Sequence, residues 1–292
     1  MSALLLLDKP ENMTSFSAVA YVRRIVGIKK AGHTGTLDPM ATGVLPILLG
    51  GATRFAEFLP SHDKAYLAGM QLGVTTDTLD ITGTVLEERP VNVTRADIEQ
   101  ALGQFRGKIM QVPPMYSAKS QGGQRLYELA RRGVEVEREA RAVEIYKLEL
   151  LNDTQIYVEC SAGTYIRSLI DDLGRLLGCG ACMSSLRRTK ANGFELSQCV
   201  TLEQFVPRKG TCESFGFHPR GFVMLDDALS AYPAIEITPA QAVRFRNGGA
   251  LDLARLYGLG EGELHRVYCE DKFLGLGRVQ GQELAVARLL VE

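Results

Sequence analysis

The sequence has little net charge, no long apolar run and few cysteines, and each shortage narrows the reading. The formal net charge is −1 over 292 residues, so bulk charge does not announce a nucleic-acid binder. No stretch approaches the roughly 20 apolar residues of a membrane-spanning helix. Met1 to Leu7 is apolar, but no basic segment leads into it, and Asp8-Lys9-Pro10 ends it too soon for a secretory signal. A buried strand is the better reading, and the chain is expected to be cytoplasmic. The six cysteines fit a compartment where thiols stay reduced. Cys179 and Cys182 form a C-x-x-C, yet no second pair and no nearby pair of histidines completes a structural zinc site. A redox motif would open a helix after a strand, whereas this pair follows a helix. Ordinary packing is the reading for both thiols, and no metal is expected.

What is present suits a folded enzyme. Hydrophobic residues make up 46% and charged residues 23%, enough for a large domain plus a small one. Residues 4–7, 64–72, 83–86, 143–151 and 155–160 read as strands, the last two as a hairpin around Asn152-Asp153. Ser15 to Val26 reads as a helix, capped by Thr14 or Ser15 and stopped by Gly27. Further helices are expected over 53–59, 94–105, 124–132 and 165–177. Residues 208–221 read as a loop or linker. From Ile235 onward, short apolar stretches punctuated by glycine predict a small β-rich module. Basic charge collects in the middle of the chain: residues 106–147 hold nine Lys/Arg against five Glu. Such a cluster fits a solvated helix face as well as an RNA contact.

Residues 32–46 form a predicted loop with three glycines and two prolines. Such composition holds backbone in shapes most residues avoid, and loops of this kind often present functional side chains. It offers His33, three threonines and one carboxylate, Asp38. Composition alone reads Asp38-Pro39 as the start of a turn.

Gly32-His33-Thr34-Gly35-Thr36-Leu37-Asp38-Pro39 with Ala41-Thr42-Gly43 resembles the catalytic loop of the TruB family of tRNA pseudouridine synthases. Further motifs in the same order extend the resemblance over nearly the whole chain: Asp8-Lys9-Pro10, Asp63-Lys64-Ala65-Tyr66, Thr76-Asp77-Thr78-Leu79-Asp80, Val112-Pro113-Pro114-Met115-Tyr116-Ser117-Ala118, Gly163-Thr164-Tyr165-Ile166-Arg167 and Leu186-Arg187-Arg188-Thr189. The resemblance implies an α+β fold: a mixed, largely antiparallel catalytic sheet over residues 1–235 with a thumb-like RNA-binding insertion at about 106–147, then a PUA-like domain over 236–292. It implies isomerisation of uridine-55 in the tRNA T-loop, with base flipping, no cofactor, and tRNA as partner; nothing in the sequence demands an oligomer, so a monomer that binds neither DNA nor membrane is expected.

By the same resemblance Asp38 is the nucleophile, attacking either the base or C1′. Arg167 is its partner, keeping it ionised, and Tyr66 stacks on the base. His33 fills in beside the flipped base, Tyr165 and Leu186 line the uridine pocket, and Lys9 joins the substrate-binding set. Arg125, Arg131 and Arg132 are the phosphate contacts, with Lys119 a further candidate. Read without the family, Arg167 would be a helix-surface ion pair and Tyr66 a half-buried strand aromatic. Three rivals compete. One is a tRNA-folding chaperone whose catalysis is secondary. Another is a synthase acting on a different structured RNA. The third is phosphoryl transfer, because Asp80-Ile81-Thr82-Gly83-Thr84 resembles an aspartyl-phosphate signature. That match lacks the lysine, and the preceding Thr75-Thr76-Asp77-Thr78 is too polar for the strand that should deliver the nucleophile.

Overall fold

The computed structural model describes residues 2–117, 120–121, 123–134, 136–205, 220–256 and 260–291, without the side chains at 120, 121, 125, 127, 131 and 255. Among the described residues, ten strands form one sheet. Its main strands are β1 (Ser2–Lys9), β2 (Ala31–His33), β3 (Thr42–Gly50), β4 (Lys64–Leu72), β5 (Gly107–Gln111), β6 (Arg141–Asn152), β7 (Gln155–Cys160), β8 (Ala181–Ala191) and β9 (Phe222–Met224). Across the sheet the order is β9-β1-β3-β8-β4-β7-β6-β5, with β2 paired to β3. Only the β3–β8 pairing is parallel; the others are antiparallel. The sheet is thus mixed and largely antiparallel.

Helix α1 (Ser15–Val26) starts where the Thr14 side chain accepts a hydrogen bond from the Ser17 amide at 3.0 Å. It ends at Gly27, whose φ of 73° is left-handed and costs glycine nothing. Its buried residues Ser15, Ala18, Val19 and Val22 follow the helical period. Helix α2 (Arg95–Leu102) has a full Thr94/Asp97 capping box. A short helix α3 (Leu126–Arg131) lies in the basic middle segment, and residues 106–147 also contain β5 and the first part of β6, which pair along the sheet's edge. Helix α4 (Ile166–Leu176) buries Ile166, Leu169, Ile170 and Leu173 against the sheet.

Two predictions about this region need correction. The loop predicted over 32–46 is shorter, because its last residues belong to β3. Val44, Leu45 and Ile47 are fully buried between β1 and β8, and a strand covered on both faces reads as a continuous apolar run rather than an alternation. Strand β8 was not foreseen, because Arg187 and Arg188 interrupt its apolar pattern. The predicted helix over 53–59 is a 3₁₀ helix spanning Gly51–Phe58.

A second sheet comprises β10 (Ala234–Glu236), β11 (Leu251–Asp252), β12 (Leu264–Cys269), β13 (Lys272–Gln280) and β14 (Glu283–Leu289), in the order β10-β12-β13-β14-β11, with α6 (Pro239–Arg246) against it after the single turn α5 (Leu225–Ala228). It shares an apolar cluster with the first sheet, in which Leu276 and Phe273 pack with Leu4, Leu48 and Phe55. Cys179 and Cys182 are buried and unbridged. Most of the predicted 208–221 linker, with Cys212, lies outside the described residues.

Candidate active site

Side chains from β1, α1, α4 and β8 converge on the loop 34–41. Ser15, in the first turn of α1, holds Leu37 twice: its hydroxyl accepts from the Leu37 amide at 2.8 Å and donates to the Leu37 carbonyl at 3.1 Å. Lys9, at the end of β1, donates to the carbonyls of Pro10 and Met13 at 2.7 Å and of Pro39 at 3.3 Å. Three donors thus meet three acceptors. Arg188 of β8 donates to the carbonyls of Val44 at 2.7 Å and Gly35 at 3.1 Å. Its neighbour Arg187 pairs with Asp8 at 2.8 Å.

Asp38 is the carboxylate this scaffold presents. Arg167 reaches it from α4 with two nitrogens, Nε to Oδ2 at 3.1 Å and Nη2 to Oδ1 at 3.3 Å. The Arg167 side chain is 7% exposed, while that of Asp38 keeps 33% open to the cleft. A buried guanidinium needs all its hydrogens placed. Arg167 also donates to the carbonyls of Thr78 at 2.9 Å and Tyr116 at 2.7 Å, and faces Asp80 at 3.6 Å. It is therefore a buried hub rather than a surface ion pair. Asp80 in turn accepts from Thr78 and Thr82, which explains its Thr-rich surroundings without phosphoryl chemistry.

The electrostatics at Asp38 pull in opposite directions. Burial raises its carboxyl above the usual range, Arg167 lowers it, and nearby Asp80 raises it again. Arg167 aims the carboxylate but does not overcome desolvation. Burial also pushes the Tyr66 phenol up to about 12, with Arg188 opposing, so Tyr66 presents an O–H at neutral pH. Burial, then Arg188, lowers the His33 imidazole, which favours its neutral form. Burial brings the Lys9 ammonium down to about 8 despite Asp38.

A cleft of about 990 Å³ opens over Asp38, and His33, Tyr66, Tyr165, Arg167 and Leu186 line it with Asp38. Tyr66 lies across from Arg188 in the β4–β8 register, as Ala68 does from Leu186. Tyr165 is fixed through its backbone by Gln111, which accepts from its amide at 2.8 Å and donates to its carbonyl at 3.0 Å. One expected contact falls elsewhere. Lys9 is fully buried and holds the loop from behind, so it does not face a substrate. Arg132 is exposed outside the cleft lining and donates to Glu128 and Gln124. The side chains of Arg125 and Arg131, and all of Lys119, lie outside the described residues. Ser15, Gln111 and Asp80 were missed as supports. Only Asp80 carried a sequence signal, and there it suggested the wrong chemistry. Among the described residues, no group of three or more His, Cys, Asp or Glu is placed to hold a metal ion.

The chain matches three family models in succession. These are TruB family pseudouridylate synthase (N terminal domain) over residues 23–166, tRNA pseudouridylate synthase B C-terminal domain over 167–212, and Pseudouridine synthase II TruB, C-terminal over 233–290. It is 44% identical to the tRNA pseudouridine synthase B of Azoarcus sp. (strain BH72), across 99% of this chain and 95% of that protein. The chain belongs to the TruB family of pseudouridylate synthases. It is an enzyme of the isomerase class. A TruB relative from Clostridium tetani (strain Massachusetts / E88) is 42% identical over 100% of both chains. Among solved structures, a chain of a Cbf5-Nop10-Gar1 complex superposes with a TM-score of 0.74 at 28% identity, covering 99% of this chain and 85% of that one. A chain of an H/ACA RNP bound to a substrate RNA containing 2'-deoxyuridine superposes with a TM-score of 0.71 at 26% identity, covering 99% and 85%. The fold shared with these chains thus spans both sheets.

Proposed function

We propose that this TruB-family enzyme converts uridine-55 in the T-loop of tRNA to pseudouridine, with Asp38 as nucleophile. The observation that carries the proposal is one carboxylate, gripped by a buried arginine, at the floor of a cleft lined by Tyr66, Tyr165 and Leu186. In the reaction the N1–C1′ bond breaks and a C5–C1′ bond forms. C5 gives up a proton and N1 gains one, so no second substrate is consumed. A carboxylate that forms and releases a covalent bond suits this course. Arg167 orients it in two-point contact, a geometry a lysine would not reproduce. Tyr66 supplies an aromatic face and a protonated phenol, Tyr165 and Leu186 supply apolar walls, and His33 stands ready as a neutral ring.

A uridine in a folded RNA loop is stacked and out of reach, so it enters this cleft by flipping. Unstacking costs a few kcal/mol, which replacement contacts must offset. The RNA is read by shape and backbone, with Arg125, Arg131 and Arg132 of the thumb-like segment as phosphate contacts and the PUA-like module, from about residue 236, as a second RNA surface. The enzyme acts in the cytoplasm as a monomer. The tRNA target is favoured over another RNA because the curated relatives with 42–45% identity are named tRNA pseudouridine synthase B.

The test incubates purified protein with unmodified T-arm RNA and maps pseudouridine at each uridine. Conversion at the T-loop uridine is expected, and Asp38→Asn should abolish it while RNA binding persists. Retained conversion in Asp38→Asn sinks the assignment of the nucleophile. Binding and refolding of tRNA without any conversion by the wild type would favour the chaperone reading instead.

A further inference from the structure

The most exposed large apolar side chain of the described protein is Phe16, 78% open to solvent. The other described phenylalanines are buried or half-buried. The core-facing stripe of α1 runs through Ser15, Ala18, Val19 and Val22, and Phe16 lies off it. It is therefore not a misplaced core residue. A single exposed apolar side chain is unremarkable by itself. The position of this one is informative, because Phe16 lines the same cleft as Asp38, Tyr66 and Tyr165.

Its backbone is also rigidly referenced to the nucleophile. The preceding residue, Ser15, is 2% exposed and bonds both the amide and the carbonyl of Leu37, and Leu37 adjoins Asp38. The backbone of Phe16 is thereby tied to the catalytic loop, and its ring is the most solvent-exposed of the aromatic rings that line the cleft. Thr14 caps the helix just before it. No carboxylate lies among its neighbours in the sequence from Met13 to Val22.

Building on the reading that this cleft receives a flipped uridine, we propose that Phe16 is a stacking platform for a nucleobase of the RNA that flanks the target nucleotide. Flipping removes a stacking neighbour from that base, and an open aromatic face replaces it whatever the base is. The ring contributes to RNA binding and to holding the loop open, while Asp38, Arg167 and Tyr66 act on the uridine itself.

The test places 2-aminopurine, whose fluorescence is quenched by stacking, at each position flanking the target in a T-arm stem-loop. Binding and pseudouridine formation are followed separately for wild type, Phe16→Ala, Phe16→Leu and Phe16→Tyr. Stacking on an aromatic ring predicts that Ala and Leu raise KM roughly five- to hundredfold, with the larger part of the loss in KM rather than kcat. One flanking 2-aminopurine should become brighter in both complexes, and Tyr should restore both signals. Unchanged KM and fluorescence in Phe16→Ala would overturn the proposal. So would Phe16→Leu behaving as wild type, because that needs only apolar contact. If wild type forms no pseudouridine yet shows the Phe16-dependent quenching, the stacking site stands and the reaction assignment falls.

Discussion

Replacing Ser15 by alanine tests how the nucleophile is held. The hydroxyl is the clasp between α1 and the catalytic loop, bonded to both backbone groups of Leu37 at 2.8 and 3.1 Å. Ser15 and Leu37 are 2% and 3% exposed, so water does not readily take its place. Ser15→Ala strands one buried N–H and one buried C=O, at roughly 1–3 kcal/mol each. Partial relaxation leaves an expected loss of about 2–4 kcal/mol, read as a lower urea midpoint with an unchanged slope. The released loop should also misplace Asp38, and an error near 1 Å costs about a hundredfold in rate. Single-turnover pseudouridine formation should therefore fall by about ten- to hundredfold. Ser17→Ala, in the same helical turn but exposed, is the control and should change stability by less than about 0.5 kcal/mol. A Ser15→Ala protein as stable and as active as that control would refute the reasoning.

Asp80→Asn keeps the shape of Asp80 but removes the second charge facing Arg167; kcat should drop about ten- to hundredfold with RNA affinity little changed, and an unchanged kcat would show that the Asp80 charge is not needed to position the guanidinium. Gly43→Ala should prevent proper folding, because its Cβ would sit 2.1 Å from the Arg188 carbonyl oxygen at a φ of +103°; soluble protein with a wild-type melting temperature would contradict that. A pH prediction follows from the raised Asp38 carboxyl, since a nucleophile must be ionised. The rate should fall as pH drops through this raised value, at less acid pH than for an ordinary aspartate near 4; a rate plateau reaching down to pH 4 argues against it. The stability effect has the opposite sign. The folded state binds this proton more tightly than the unfolded chain, so ionised Asp38 costs stability above its folded pKa. That cost is relieved as pH falls through the folded value, and Asp38→Asn should flatten this part of the urea-midpoint profile.

Local elements were legible where one physical signal dominated. Ser15–Val26 and Lys64–Leu72 appear with the predicted bounds, the first through a cap, an apolar stripe and a terminating glycine, the second through strand patterning. Strand β8 was hidden because its arginines look like surface residues. Arg188 is 1% exposed only because Val44 and Gly35, from distant chain positions, offer it carbonyls. Lys9 misled for the same reason. The resemblance put it in the substrate-binding set, and its three carbonyl acceptors place it behind the loop.

The sequence by itself determined the family, because many ordered motifs are a specific signal, and with it the kind of chemistry and the candidate nucleophile. It also determined the elements whose periodicity and caps are local. Only the tertiary structure decided what the motifs do for one another. It turned Arg167 from a helix-surface residue into a buried hub, moved Lys9 and Arg188 behind the loop, gave Ser15 and Asp80 their parts, and left Phe16 exposed in the cleft lining. Burial and hydrogen-bond satisfaction depend on groups far apart in the chain, and no local pattern records which of them will meet.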